Sequence, residues 1–165
     1  MTGLIATVPK VASWRLARVP QVLSVAEIEQ FFEAFDRNTS VGRRDYAISR
    51  CLVDLGLRAV EVSRLTLDDI DWRASSILIR GKTRRADLYP LPPDTGRAIA
   101  QYLRNGRPAA TSRALFVRHR APLDAPVTAR IVRGTVHSTA ERGGVAALLH
   151  GPHLLRHYVP RCTMV

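Results

Sequence analysis

The sequence predicts an α+β fold, mostly helical with one small antiparallel β-hairpin. Three observations carry this. Apolar residues recur at helical spacing in successive stretches. At Ile77-Leu78-Ile79 the period changes to a β-like run, and a second run follows at Leu88 to Leu91. Glycine, proline and capping residues fall between these stretches, where a chain of short elements needs its stops and starts.

Residues 1–20 contain Pro9 and Pro20 and no clear periodicity, which reads as an extended lead-in. Residues 21–165 then form the folded domain. Ser24 and Glu27 have the spacing of a capping box, and Ile28, Phe31, Phe32 and Phe35 share one face of the helix that follows, expected to end near Asp36. Asp45 to Leu55 is a second amphipathic stretch stopped by Gly56, and Ala59 to Leu65 is a short third helix. The hairpin joins Ile77–Ile79 to Leu88–Leu91 through a polar turn, Gly81 to Arg85, too long to be a two-residue turn. Asp94 is expected to cap a helix carrying Ile99, Tyr102 and Leu103, closed by Asn105 and Gly106. Leu115-Phe116-Val117 reads as core packing. Thr128 caps a further helix with Ile131, Val132 and Val136, ended by Gly143 and Gly144; Gly151 and Pro152 open a last one at His153, which Pro160 interrupts.

The chain has 165 residues, 46% apolar and 24% charged, enough for one domain with a buried core and unlike a disordered chain. No apolar run approaches the ~18 residues that span a bilayer. The first residues are too weakly patterned for a signal peptide, so the expected location is the cytoplasm. Cys51 and Cys162 are distant single thiols and suggest neither a disulfide framework nor a metal clamp.

Charge is unevenly distributed. Residues 1–94 hold 14 basic and 12 acidic side chains, whereas residues 95–165 hold 11 basic and 2 acidic together with all five histidines. Such a basic half fits a polyanionic partner, nucleic acid above all, although a chain that writes Arg almost everywhere decorates any surface with it. Of the 25 basic residues 23 are Arg; Lys10 and Lys82 are the exceptions. A lysine can release a proton where arginine cannot.

Four further segments carry the chemistry. They are Gly56-Leu57-Arg58-Ala59-Val60-Glu61-Val62, Leu65-Thr66-Leu67-Asp68-Asp69-Ile70-Asp71, Ile79-Arg80-Gly81-Lys82 and His153-Leu154-Leu155-Arg156-His157. In this order, with 24 positions from Arg58 to Lys82 and an apolar hairpin between, the chain resembles the catalytic domain of tyrosine recombinases, the phage-integrase and Xer-like family. The resemblance spans roughly Val19 to His157. It implies a DNA strand-exchange activity, with double-stranded DNA and other recombinase subunits as partners, and no cofactor, metal, membrane or small-molecule substrate.

Residue by residue, Arg58 and Arg156 resemble the family's phosphate-binding arginines, and His153 its phosphate-bonding histidine. Lys82 resembles the lysine that protonates the leaving 5′ oxygen, and Glu61 an acidic residue that orients the arginine. The assignment is physically coherent. Charge gathers on the non-bridging oxygens of a phosphodiester in its transition state, and guanidiniums bind such oxygens in bidentate fashion. His153 and Arg156, three apart, share a helix face.

Plainer readings exist. Arg58 and Glu61 can be a surface i,i+3 pair and Lys82 a solvated turn residue. His150, His153, His157 and Cys162 suggest zinc only weakly, lacking a paired glutamate and a second spaced thiol. Asp45 to Leu55 and Ala59 onward can also be drawn as a helix-turn-helix of a non-enzymatic DNA-binding regulator, with Arg64 reaching for bases.

Relative to the family pattern, the nucleophilic tyrosine and the amino-terminal clamp domain are missing: nine residues follow Arg156, and Tyr158 lies i,i+2 from it, off its face. Tyr46, Tyr89 and Tyr102 sit at packing or strand positions. The resemblance therefore implies a remnant truncated at both ends that binds DNA but does not cleave it alone.

Overall fold

The computed structural model describes residues 23–81, 86–145 and 155. Among these residues five α-helices and a three-stranded antiparallel sheet occur in the order α1 (Val25–Glu33), α2 (Ser40–Asp54), α3 (Ala59–Arg64), β1 (Ile70–Asp71), β2 (Ser76–Arg80), β3 (Ala86–Pro90), α4 (Pro93–Asn105) and α5 (Ala129–Gly143). The expected α+β class, mostly helical around a small sheet, is the observed one. Among the described residues no helix is long and apolar enough to cross a membrane.

Local chemistry sets the elements. The capping box forms: the Glu27 carboxylate accepts the Ser24 N–H at 2.8 Å, and Ser24 Oγ accepts the Glu27 N–H at 3.2 Å. The helix stops at Glu33 instead of near Asp36, because Asp36 is committed to the next turn. Its side chain accepts the Asn38 N–H and its carbonyl the Thr39 hydroxyl. Thr39 Oγ1 in turn accepts the Gly42 N–H at 3.0 Å, so α2 starts at Ser40, five residues before the expected Asp45. Gly42-Arg43-Arg44 shows no apolar period, which hid this first turn. Glycine is required there: a Cβ at position 42 would lie 1.8 Å from the Asp36 carbonyl oxygen. Asp94 is not the cap of α4. Pro92 holds that position, Pro93 supplies the preset φ of a first helical residue, and Asp94 lies inside the first turn.

The hairpin pairs Ile77 with Tyr89 and Leu78 with Leu88, and a short β1 that the alternation did not reveal adds Ile70 opposite Ile77. Ile77 and Ile79 enter the core, whereas Leu88 is 68% exposed on the edge strand. Pro90 ends that edge without an N–H to offer another strand.

The core joins Phe31, Ile48, Leu52, Ile99, Tyr102, Phe116, Val132, Val136 and Leu155. α2 packs against α4, while α5 packs against α1, α2 and α3. Leu115-Phe116-Val117 is fully buried as expected. Its backbone is pinned on both sides: the Leu115 N–H donates to the Leu65 carbonyl at 2.8 Å, and the Val127 N–H to the Phe116 carbonyl at 3.0 Å. Tyr102 adds its hydroxyl, which accepts the Val117 N–H.

Candidate functional site

Arg58 is presented by a sharp change of direction between α2 and α3. Gly56 adopts φ +61°, a left-handed conformation that costs glycine nothing and ends α2. Leu57 is then buried at 4% exposure, anchoring the segment, and Arg58 takes the extended cap position of α3. Glu61, one turn on, binds it twice. Its Oε2 accepts the Arg58 backbone N–H at 2.7 Å and its Oε1 accepts Arg58 Nη1 at 3.2 Å.

The two partners differ in exposure: Glu61's side chain is 16% exposed and Arg58's is 60%. The carboxylate is a half-buried anchor, and the guanidinium makes no other hydrogen bond to the described residues. Nε and Nη2 are therefore uncommitted among the described residues, on a side chain that is mostly exposed, as an anion-binding arginine requires.

The segment after α3 is fixed to the sheet. Asp69 is buried, and its Oδ2 accepts both the N–H and the hydroxyl of Thr66 at 2.8 Å. Its Oδ1 pairs with Arg80 Nη1 at 2.5 Å, at the last residue of β2. Asp71 Oδ1 closes the β1–β2 turn by accepting the N–H groups of Arg73 and Ala74, both at 2.9 Å. The acidic run quoted from the sequence thus braces the loop beneath β2.

Lys82, His153 and Arg156 lie outside the described residues, as do Tyr158, His150, His157 and Cys162. Leu155, between His153 and Arg156 in sequence, is fully buried in the core. The remaining tyrosines have structural surroundings. Tyr46 packs edge-on against Phe32 and Phe35, Tyr102 is fully buried, and Tyr89 lies on β3.

Comparison with known proteins sets the identity of this arrangement. The phage integrase family matches residues 21–161. The chain belongs to that family. It is 42% identical over 156 residues to y4rA of Sinorhizobium fredii, described as an integrase/recombinase, covering 94% of this chain and 38% of the relative. To y4gC of the same organism, described likewise, it is 37% identical, covering 84% of this chain and 72% of that one. To tyrosine recombinase XerC of Bacillus subtilis it is 30% identical, covering 85% and 47%. The chain thus spans less than half the length of y4rA and of XerC.

Among solved structures the fold is that of XerA recombinase, with a TM-score of 0.71 at 24% identity over 84% of this chain and 48% of that one. XerH, captured on its palindromic difH substrate after cleavage, superposes with a TM-score of 0.69 at 22% identity over 86% of this chain and 41% of that one. Both likenesses speak to architecture. The phage-integrase membership is what assigns the chain to tyrosine recombinases.

Proposed function

We propose that residues 21–165 contribute the phosphate-binding part of a tyrosine recombinase catalytic domain, preceded by a lead-in over residues 1–20, and that the chain acts on double-stranded DNA in site-specific recombination. The observation that carries this is the family match combined with an outward-facing Arg58 held from beneath by Glu61. The XerH recombinase bound to difH supports the choice of DNA.

In this reading Arg58 and Arg156 grip the non-bridging oxygens of one phosphodiester, His153 hydrogen-bonds the same group, and Lys82 protonates the departing 5′ oxygen. Breaking the backbone also needs an attacking oxygen. Tyr102 is buried and Tyr46 is packed among phenylalanine rings, whereas Tyr89 stands exposed on β3, and in this reading a partner recombinase subunit donates the nucleophile. The helix-turn-helix alternative gains no support: α3 has six residues, about 9 Å, too short to lay several side chains along a major groove.

The test combines binding and trapping. Duplex DNA should bind with a steep salt dependence and little sequence preference, and Arg58→Ala or Arg156→Ala should weaken it, whereas Arg64→Ala should not. On a nicked suicide substrate the chain alone should trap no covalent complex, and addition of a full-length recombinase from the same cell should produce one. Binding that ignores Arg58 and Arg156 but collapses with Arg64→Ala would favour the regulator.

A further inference from the structure

A second cationic site lies away from α3, between α2, the loop after Phe116 and the first turn of α5. A cavity of about 390 Å³ is lined there by Val41, Arg44, Arg118, His119, Arg120 and Ile131. Three guanidiniums and an imidazole share this wall, and among the described residues no carboxylate does.

Apart from Arg44, its side chains have no ion pair among the described residues. Arg118 Nε and His119 Nε2 are both shielded from solvent and have no hydrogen-bond partner among the described residues. Arg120 is exposed and makes no ion pair among the described residues. Arg44 is 8% exposed, and its one partner, Asp45 at 2.7 Å, stands outside the cavity wall. Burial, and then the Arg44 charge, keep the His119 imidazole below the ordinary histidine pKa. At neutral pH it is therefore an uncharged ring that offers one N–H and one acceptor nitrogen. Ile131 brings the amino-terminal end of α5, a 15-residue helix, to the same wall, and its partial positive charge adds to the field.

The contrast with the other arginine-rich cavity is informative. That cavity, about 440 Å³, is lined by Arg37, Arg43 and Arg97, but it also contains Asp94, which pairs with Arg97 and with Arg50. Arg43 there donates to the Asn105 carbonyl and Arg37 lies over the Tyr46 ring, so each of its guanidiniums has some partner within the protein. Arg118 and Arg120 have no such side-chain partner among the described residues.

We propose that Arg118, His119 and Arg120, backed by Arg44, form a second anion site that takes a backbone phosphodiester of duplex DNA at a position distinct from the one held by Arg58. The proposal rests on the DNA reading above. The site performs no chemistry; it fixes the register of the duplex, as phosphate contacts do, without reading bases. Its contribution is the same for any sequence.

The experiment measures anisotropy of a labelled duplex, in a target-like and a scrambled sequence, against salt, with the full chain and with Arg118→Gln/Arg120→Gln, Arg120→Gln alone and Arg58→Ala. Thermal melts confirm folding, and Arg120→Gln, at an exposed position, serves if the double variant does not fold. The expected result is a loss of about tenfold in affinity for the double variant on both sequences, with the slope of log K against log salt shallower by about 1. The loss should add to that of Arg58→Ala, as for separate contacts.

An unchanged slope and affinity in the Arg118 and Arg120 variants, while Arg58→Ala still weakens binding, overturns this site and leaves the recombinase reading intact. A wild-type chain that retains no duplex even at low salt overturns the recombinase reading itself. A third arm follows the His119 ring resonances by NMR. Movement with millimolar inorganic phosphate but none with duplex identifies a free-phosphate site and overturns the proposal.

Discussion

On the flank of α2 that faces α4, Arg50 meets two carboxylates and Arg43 a backbone carbonyl; on the flank toward Arg118 the guanidiniums outnumber the acids. The first flank is a closed circuit. Arg50 Nε pairs with Asp54 Oδ2 at 3.0 Å, Arg50 Nη2 with Asp94 Oδ2 at 3.0 Å, and the Thr95 hydroxyl donates to Asp54 at 2.5 Å. Arg50 also lies over the Phe32 ring, 4.7 Å from its centroid. The second flank has one internal pair, Arg44–Asp45, and then Arg118, His119 and Arg120 without acids. Arginine count alone does not separate a fold-building cluster from a ligand-seeking one. The local balance of carboxylates does, since an unanswered buried cation is expensive to keep.

That difference can be broken at several points. The largest expected effect is on the helix both flanks share. Gly42→Ala drives a methyl into the Asp36 carbonyl oxygen, and should cost about 3 kcal/mol of stability, read as a lowered midpoint in chemical denaturation. Next comes the closed flank. Asp54→Ala strips Thr95 and Arg50 of a half-buried acceptor and should cost about 2 kcal/mol, while leaving the salt slope of DNA binding unchanged.

Arg58→Ala should do the reverse. Its pair with Glu61 is largely solvent-exposed on the arginine side, so stability should change by no more than ~0.5 kcal/mol. DNA affinity should nevertheless fall about tenfold.

The smallest effect is one of pH. Burial pushes the Asp54 carboxyl above the ordinary carboxylate range, against the pull of Thr95 and Arg50. The native state then holds the proton more tightly than the unfolded chain, so this group's stabilising share is complete below the unfolded value. It is lost as pH rises through the native one. Relative to Asp54→Asn, the wild type should lose stability over that acidic window and run parallel to it near neutrality, as paired denaturation curves would reveal.

How much of this was legible in the sequence depended on how local the cause was. The Ser24–Glu27 box, the Gly56 stop and the hairpin were readable because a few neighbouring residues determine them. The start of α2 was not, because the reason for Gly42 is a carbonyl six residues earlier folded back against it. β1 escaped for a related reason: two residues carry no period, and they exist as a strand only because β2 lies beside them.

At the site, the Arg58–Glu61 pair is legible as an i,i+3 relation. The Arg118-His119-Arg120 cluster is not. In sequence it is one more basic run, and its meaning depends on Arg44, brought near by packing from 74 positions away. A scan for basic runs that lack acidic residues on both sides would have marked it, since the stretch from Arg97 to Arg120 contains no acid.

Cys51 sits in the last turn of α2 with no exposure, and burial holds its thiol far above the ordinary value. In the native protein it has neither thiolate nor access, the two conditions for alkylation. With Cys162 replaced by serine, maleimide uptake at Cys51 becomes a clock for whole-domain opening. A ligand that binds the closed form should slow that clock in proportion to its occupancy, even where no chemical turnover can be observed.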